Sequence, residues 1–213
     1  MLASYTYDRN GNLATITNNQ NGMVSSINRN HANMIISRTN VRNGVELSRF
    51  TYQYFSDGNI SGITEMILND GVVNNRNISF DYGRSGRLIR ETDSFSGNTT
   101  NFTYDNFGNR TSRTVTGTNP SMTLYDFDEN NRLLSTHTTA ENITDISQFH
   151  YDPNGNMIFR LESQIAPGIG GQALGIGLLG ENGHANMWEF EFDGFNRLTG
   201  VETYGMIAYK IGF

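Results

Sequence analysis

"YDPNGN", residues 151–156, has the residues that end one β-strand, turn the chain and begin the next. Asp, Pro and Gly stand at the first, second and fourth positions that a type I turn favours. The Asp152 carboxylate can accept hydrogen bonds from backbone N–H groups two residues on. Gly155 can take the left-handed conformation that forms a bulge and returns the chain antiparallel. The hexapeptide therefore predicts a β-hairpin.

Near-copies of this hexapeptide recur along the 213 residues and indicate a repeat protein. The others are "YDRNGN" from Tyr7, "YFSDGN" from Tyr54, "YGRSGR" from Tyr82, "YDNFGN" from Tyr104, "FDENNR" from Phe127 and "FDGFNR" from Phe192. Where the turn glycine is missing, the chain has Asn, which tolerates positive φ better than most residues. The predicted turn residues are Asp8, Gly11, Gly58, Gly86, Asp105, Gly108, Asp128, Asn131, Asp152, Gly155, Asp193 and Asn196.

Each copy ends its first strand with two aromatic residues spaced two apart, so both rings point to one face of a sheet. We expect that face to be buried and the aromatics to hold successive hairpins together. One hairpin cannot bury its own apolar face, so neighbours should stack into a continuous antiparallel sheet that curves or spirals. The pairs are Tyr5/Tyr7, Tyr52/Tyr54, Phe80/Tyr82, Phe102/Tyr104, Tyr125/Phe127, Phe149/Tyr151 and Phe190/Phe192.

Two intervals between copies, 8–53 and 152–191, are about twice as long as the others and predict a degenerate copy in each. In the first, "SINRNHANM" at 26–34 aligns with Asn28 in the aromatic position. The second contains an apolar, Gly-rich stretch, 165–183, that we expect to be a loop or plug on the sheet. The domain prediction is one all-β array over residues 1–213.

Composition excludes several classes of function. The net charge of −6 and the scattered Lys and Arg argue against a nucleic-acid partner. Cysteine is absent, so disulfides and thiol chemistry are excluded. No signal peptide and no apolar span of 18 residues is visible in the sequence. For the Gly-rich stretch, a plug that packs on the sheet is favoured over contact with a membrane. "GIGLLG" at 175–180 matches a dinucleotide motif, but turn-forming residues follow where a helix is required.

The sequence predicts no enzyme, cofactor or metal site. The four histidines lack ligand spacing. The repeated aspartates could suggest paired carboxylates of a hydrolase, but each has a role in its turn. Trp188 is the candidate for a glycan contact, because aromatic faces stack on sugars.

The copies "YTYDRNGNL", "FTYDNFGNR", "FHYDPNGNM" and "FEFDGFNRL" resemble the YD repeats of the Rhs family, which includes bacterial wall-associated proteins, toxin-complex shells and teneurins. The resemblance implies a β-sheet strip that spirals into a shell, often around a toxic cargo, or displays an adhesive surface. It predicts a structural segment of a larger secreted or cell-surface bacterial protein. Its partners would be neighbouring repeats, copies of itself or toxin cargo. The alternative is a carbohydrate-binding or adhesive module that contacts a cell-surface glycan.

Overall fold

The computed structural model describes residues 2–165 and 184–207, and every regular element in these ranges is a β-strand. The all-β prediction is therefore confirmed. The strands are β1 (Ala3–Tyr7), β2 (Leu13–Asn18), β3 (Met23–Arg29), β4 (Ile35–Arg42), β5 (Val45–Tyr54), β6 (Ile60–Asn69), β7 (Val72–Tyr82), β8 (Leu88–Asp93), β9 (Asn98–Tyr104), β10 (Arg110–Thr116), β11 (Ser121–Phe127), β12 (Leu133–Ala140), β13 (Ile143–Tyr151), β14 (Met157–Ile165), β15 (His184–Phe192) and β16 (Leu198–Ile207).

The chain divides into two compact units, Met1–Thr99 and Thr100–Phe213. In the first unit, β1 to β8 follow one another in chain order, and each strand is antiparallel to the next. In the second unit, the strands from β10 to β16 follow the same rule. Each unit is thus an array of antiparallel hairpins. That one array extends over 1–213 stays a prediction.

A β-bulge recurs at one position of the motif, immediately before the last residue of the outgoing strand. At this position one residue of the return strand has no cross-strand partner, as with Ala14 between Leu13 and Thr15 in the first hairpin. Most return strands begin at an apolar residue directly after the turn, such as Leu13, Leu88 and Met157, whereas β10 begins at Arg110. The bulges lie at Thr6/Tyr7, Asn28/Arg29, Gln53/Tyr54, Asp81/Tyr82, Asp126/Phe127, His150/Tyr151 and Glu191/Phe192.

The hidden copy in the first long interval exists, but the alignment proposed for it is wrong by one residue. Asn30 takes the place of the turn aspartate, because its side-chain oxygen accepts hydrogen bonds from the N–H groups of Ala32 and Met34, both at 3.0 Å. Arg29, and not Asn28, therefore occupies the second aromatic position. The side chain that shapes the turn fixes the register, and the residue before it is free to vary.

The second long interval adds no hairpin to the sheet between β14 and β15. These strands pair directly, with Leu161 opposite Met187. The prediction of a degenerate copy inserted there is therefore wrong for the sheet. The extra residues fall in the connection between the two strands, where the loop or plug predicted at 165–183 lies outside the described residues apart from Ile165.

The aromatic face is half-buried, which corrects the prediction that it is buried. Twelve of the fourteen paired aromatics are partly exposed, and Tyr5 and Tyr7 are 55% and 63% exposed. The described strands of each unit form a single layer, in which neighbouring strands cover the sides of a ring but not its outer surface. The buried apolar residues of the described ranges, Ile78, Val115 and Ile146, keep 6–8% of their surface exposed and lie within strands, not at the turns.

Candidate functional site

The turns after odd-numbered strands lie at one edge of each sheet, which we call the turn edge. In the first unit it comprises residues 8–12, 30–34, 55–59 and 83–87. In the second unit it comprises residues 105–109, 128–132, 152–156 and 193–197. In each turn the backbone N–H of the first residue donates to the carbonyl of the fifth residue. The N–H of the fourth residue donates to the carbonyl of the first. These contacts make all eight turns one backbone structure despite their different sequences.

The turn aspartate satisfies the N–H groups inside the loop. In the turn at 152–156, Asp152 Oδ1 accepts the Asn156 N–H at 2.8 Å, and Asp152 Oδ2 accepts the Asn156 side-chain amide at 2.8 Å. Asp193 binds Arg197 in the same way, with the guanidinium Nε donating to Oδ2 at 2.7 Å. Both oxygens of each carboxylate are therefore engaged within the turn.

These contacts lower the pKa of the turn aspartates. For Asp152 the largest cause is the hydrogen bond from the Asn156 side chain, and for Asp193 it is the hydrogen bond from the Arg197 side chain. Hydrogen bonds to a carboxylate favour its charged form. Both groups are thus held as ionised acceptors and are poorly suited to give up a proton in acid catalysis.

Two classes of turn alternate along the second unit. In a Gly-type turn the fourth residue is Gly and the fifth is Asn, as at 8–12, 55–59, 105–109 and 152–156. In an Asn-type turn the fourth residue is Asn, as at 30–34, 128–132 and 193–197. The fourth residue has positive φ in both classes, for example 89° at Gly155 and 61° at Asn131. The turn at 83–87 is neither, because Arg follows Gly86.

Every predicted fourth-position residue has positive φ, including Gly58 and Gly86, whose copies lack a leading aspartate. In the turn at 55–59, Asp57 replaces the missing first-position carboxylate by accepting the backbone N–H and the side-chain amide of Asn59, at 3.0 and 2.9 Å. The degenerate copy therefore reaches the same turn with a different acceptor.

A side-chain hydrogen bond joins each of three Gly-type turns to the Asn-type turn that follows it. The amide of the fifth residue donates to the side-chain oxygen of the positive-φ Asn in the next hairpin. The pairs are Asn12 to Asn33 at 2.7 Å, Asn109 to Asn131 at 2.7 Å and Asn156 to Asn196 at 3.0 Å. The asparagine that replaces Gly thus also supplies an acceptor that Gly lacks.

A different set of contacts joins an Asn-type turn to the next Gly-type hairpin. The Tyr151 hydroxyl donates to the Leu133 carbonyl at 3.0 Å, and the Arg132 guanidinium donates to the Asp152 carbonyl at 3.2 Å while lying 5.3 Å from the Tyr151 ring centroid. In the first unit, the Tyr54 hydroxyl makes the equivalent bond to the Ile35 carbonyl at 2.6 Å. We call this arrangement the Tyr–carbonyl junction.

Arginine guanidinium groups lie over aromatic rings of neighbouring strands and help to hold the strands together. The sequence analysis assigned this role to the aromatic residues alone. The Arg160 guanidinium lies 5.9 Å from the Phe149 centroid and 5.0 Å from that of Trp188, its two cross-strand partners. Arg110 lies similarly near Phe102 and Tyr125. Such contacts contribute about 0.5–1 kcal/mol each at exposed sites. Trp188 is half-buried, and one face of its indole is already occupied.

Sequence reasoning missed an ion pair whose carboxylate, that of Asp93, is buried. The buried Asp93 carboxylate accepts two bonds from the Arg76 guanidinium, at 2.9 and 3.0 Å, and further bonds from the Phe95 N–H and the Ser96 hydroxyl. Its pKa falls to about 2, chiefly because of the Arg76 hydrogen bond. Asp93 begins the turn between β8 and β9, but nothing in the local sequence pairs it with an arginine 17 residues earlier.

Among the described residues, the histidines and the remaining carboxylates do not form a metal site. Within residues 2–165 and 184–207, no group of three His, Asp or Glu side chains is placed to hold a metal ion. His150 lies on the face opposite Phe149 and Tyr151, against the Phe159 ring at 5.4 Å. The "GIGLLG" motif lies outside the described residues. The part of the chain that the structure describes contains no helix of the length and apolar character needed to cross a membrane.

Comparison with known proteins identifies the repeat. The family model described as Teneurin YD-shell matches residues 1–165, which include seven of the eight turns on the turn edges. A search of curated proteins found no match. The resemblance seen in the YD motifs is thereby confirmed.

Proposed function

Since the chain belongs to the teneurin YD-shell family, we propose that it forms a wall segment of a larger secreted or cell-surface shell, which either encloses a cargo or assembles through its sheet edges. The family is a structural shell family, and its members suggest an extracellular or surface location. In this proposal the chain acts as a scaffold and not as an enzyme. A toxin cargo of the bacterial Rhs kind fits the same architecture.

The observation that carries the proposal is the linkage between turns. Polar side chains that could serve catalysis or binding are engaged in holding one hairpin to the next, as in the bonds from Asn109 to Asn131 and from Tyr151 to the Leu133 carbonyl. A wall needs successive hairpins fixed in register, because a slip of one residue would exchange the two faces of a strand. The turn-edge contacts supply that constraint at the point where each strand begins.

The alternative function, a carbohydrate-binding or adhesive module, would require Trp188 to contact a sugar. A sugar platform requires an accessible indole face, whereas the Arg160 guanidinium occupies one face of this ring. The two functions therefore differ in the role of one side chain.

We expect Trp188→Ala to lower the free energy of unfolding by about 2 kcal/mol, because a half-buried ring and its cation contact are removed. Thermal unfolding measures this loss, and a glycan array is run on the same samples. Phe190→Ala, on the same strand and face, is the matched control for loss of aromatic packing. The wall proposal predicts no glycan signal for the wild type. Glycan binding that is abolished by Trp188→Ala and retained by Phe190→Ala would replace the wall proposal with the carbohydrate-binding one.

A further inference from the structure

The two terminal hairpins carry complementary halves of the Tyr–carbonyl junction. Inside the chain this junction requires an Asn-type hairpin followed by a Gly-type hairpin whose outgoing strand ends in Tyr, as between β4 and β5 and between β12 and β13. The first hairpin is of the Gly type and its outgoing strand ends in Tyr7. The last described hairpin is of the Asn type, with Arg197 and Leu198 in the places of Arg132 and Leu133.

Both halves are far more exposed at the ends than in the interior. Tyr7 is 63% exposed, whereas Tyr54 and Tyr151 are half-buried. The Arg197 side chain is 74% exposed against 30% for Arg132. β1 pairs on one side with β2, β16 pairs on one side with β15, and neither has a second neighbour among the described strands. Unpaired edges of this kind are templates for another strand.

We propose that β16 of one chain pairs antiparallel with β1 of a second copy and there forms another Tyr–carbonyl junction. The Tyr7 hydroxyl of the second copy donates to the Leu198 carbonyl of the first, and the Arg197 guanidinium donates to the Asp8 carbonyl while covering the Tyr7 ring. The inference rests on the proposed wall function and names its partner. The turn at 193–197 is Asn-type and the turn at 8–12 is Gly-type. A second copy that follows the first therefore continues the alternation of the two turn types.

The internal junctions also fix the register of the new pair. Ser135 lies opposite Gln148 and Thr136 opposite Ser147 across β12 and β13, and Ser37 opposite Thr51 and Arg38 opposite Phe50 reproduce this register across β4 and β5. Counting from the junction residues, Gly200 falls opposite Ser4, and Val201 falls opposite Ala3. The contact is head to tail, because it joins two different edges and not one edge to its own copy.

Cross-linking of single-cysteine variants tests the register, since the wild-type chain has no cysteine. Ala3→Cys and Val201→Cys chains are mixed and treated with dibromobimane, which bridges two nearby thiols. We expect a mixed dimer, because directly opposed Cβ atoms lie roughly 5 Å apart. Ala3→Cys mixed with Thr203→Cys, two residues out of register on the same face, should give at least about tenfold less dimer at a separation of about 7–8 Å or more.

The junction itself is tested by Tyr7→Phe in the Ala3→Cys chain. Loss of one neutral hydrogen bond should weaken association about fivefold, whereas Tyr5→Phe, on the same strand and face but away from the junction, should leave it unchanged. No mixed dimer, equal yield with Thr203→Cys, or no effect of Tyr7→Phe would overturn the proposal. If cross-linking fails while the single-cysteine chains unfold at the wild-type temperature, the wall proposal stands and only the junction between copies is lost.

Discussion

Gly155→Val is expected to lower the free energy of unfolding by about 2 kcal/mol, through backbone strain alone. Gly155 has φ of 89°, a region that β-branched residues avoid, and its N–H closes the turn on the Asp152 carbonyl at 3.0 Å. A Cβ placed there meets no atom within 4 Å, so steric overlap with neighbours contributes nothing. Chemical denaturation of the two proteins measures the difference.

Gly194 provides the matched control, because it also lies in a YD turn and a Cβ there also meets no atom within 4 Å, but its φ is not positive. Gly194→Val should therefore change the stability by less than about 0.5 kcal/mol. Equal losses at the two positions would show that the turn tolerates positive φ without Gly or Asn, and the assignment of the fourth-position residue would be incorrect.

Asp93→Ala is expected to lower the free energy of unfolding by about 3 kcal/mol. The substitution leaves the Arg76 guanidinium without its bidentate acceptor and removes the acceptor for the Phe95 N–H and the Ser96 hydroxyl. Asp81→Ala is the control, since the Asp81–Arg90 pair is 44% and 56% exposed and such surface pairs contribute about 0–1 kcal/mol. Comparable losses in the two variants would contradict a special role for the buried Asp93 carboxylate.

The pKa of Asp93 predicts the pH range in which acid lowers the stability of the fold. Its pKa is about 2 in the folded chain, below the ordinary value of 3.8. The stabilisation is therefore complete above about pH 4 and is lost as the pH falls toward 2. Asp93→Asn, which cannot titrate, should show a smaller decrease in stability than the wild type between these values. Parallel pH profiles of the two proteins would mean that other carboxylates, such as the turn aspartates, dominate acid unfolding.

Local sequence predicted the turns because each is determined by its own five residues. Asp152 and Gly155 specify one hairpin whatever the rest of the chain does, and Asn131 follows the same φ requirement as Gly. The sequence gives the wrong register for the hairpin at 30–34 because this hairpin has no aromatic residue at the position that marks the other copies. The turn depends instead on the acceptor at Asn30, and Arg29 stands where other copies have a ring.

Contacts between hairpins could not be read in the same way, since they join residues that local spacing does not relate. The Arg76–Asp93 pair depends on the twist and stagger of β7 and β8. The burial of the aromatics was overestimated because a period of two gives the face of a ring but not whether a second layer covers it. The alternation of Gly-type and Asn-type turns is visible in the sequence, but its role depends on a contact between hairpins, the hydrogen bond from the Asn109 amide to the Asn131 side-chain oxygen.

The central claim is that side chains at the turn edge hold successive hairpins in register, and a double-mutant cycle on Asn109 and Asn131 tests it most directly. Asn109→Ala removes the donor, and Asn131→Gly removes the acceptor while retaining tolerance of positive φ. We predict a coupling free energy of about 1 kcal/mol between the two changes. The control cycle, Asn109→Ala with Asn196→Gly, joins turns that are six strands apart and should be additive. Additivity in the Asn109–Asn131 cycle as well would mean that the turns are independent and that the register is set elsewhere.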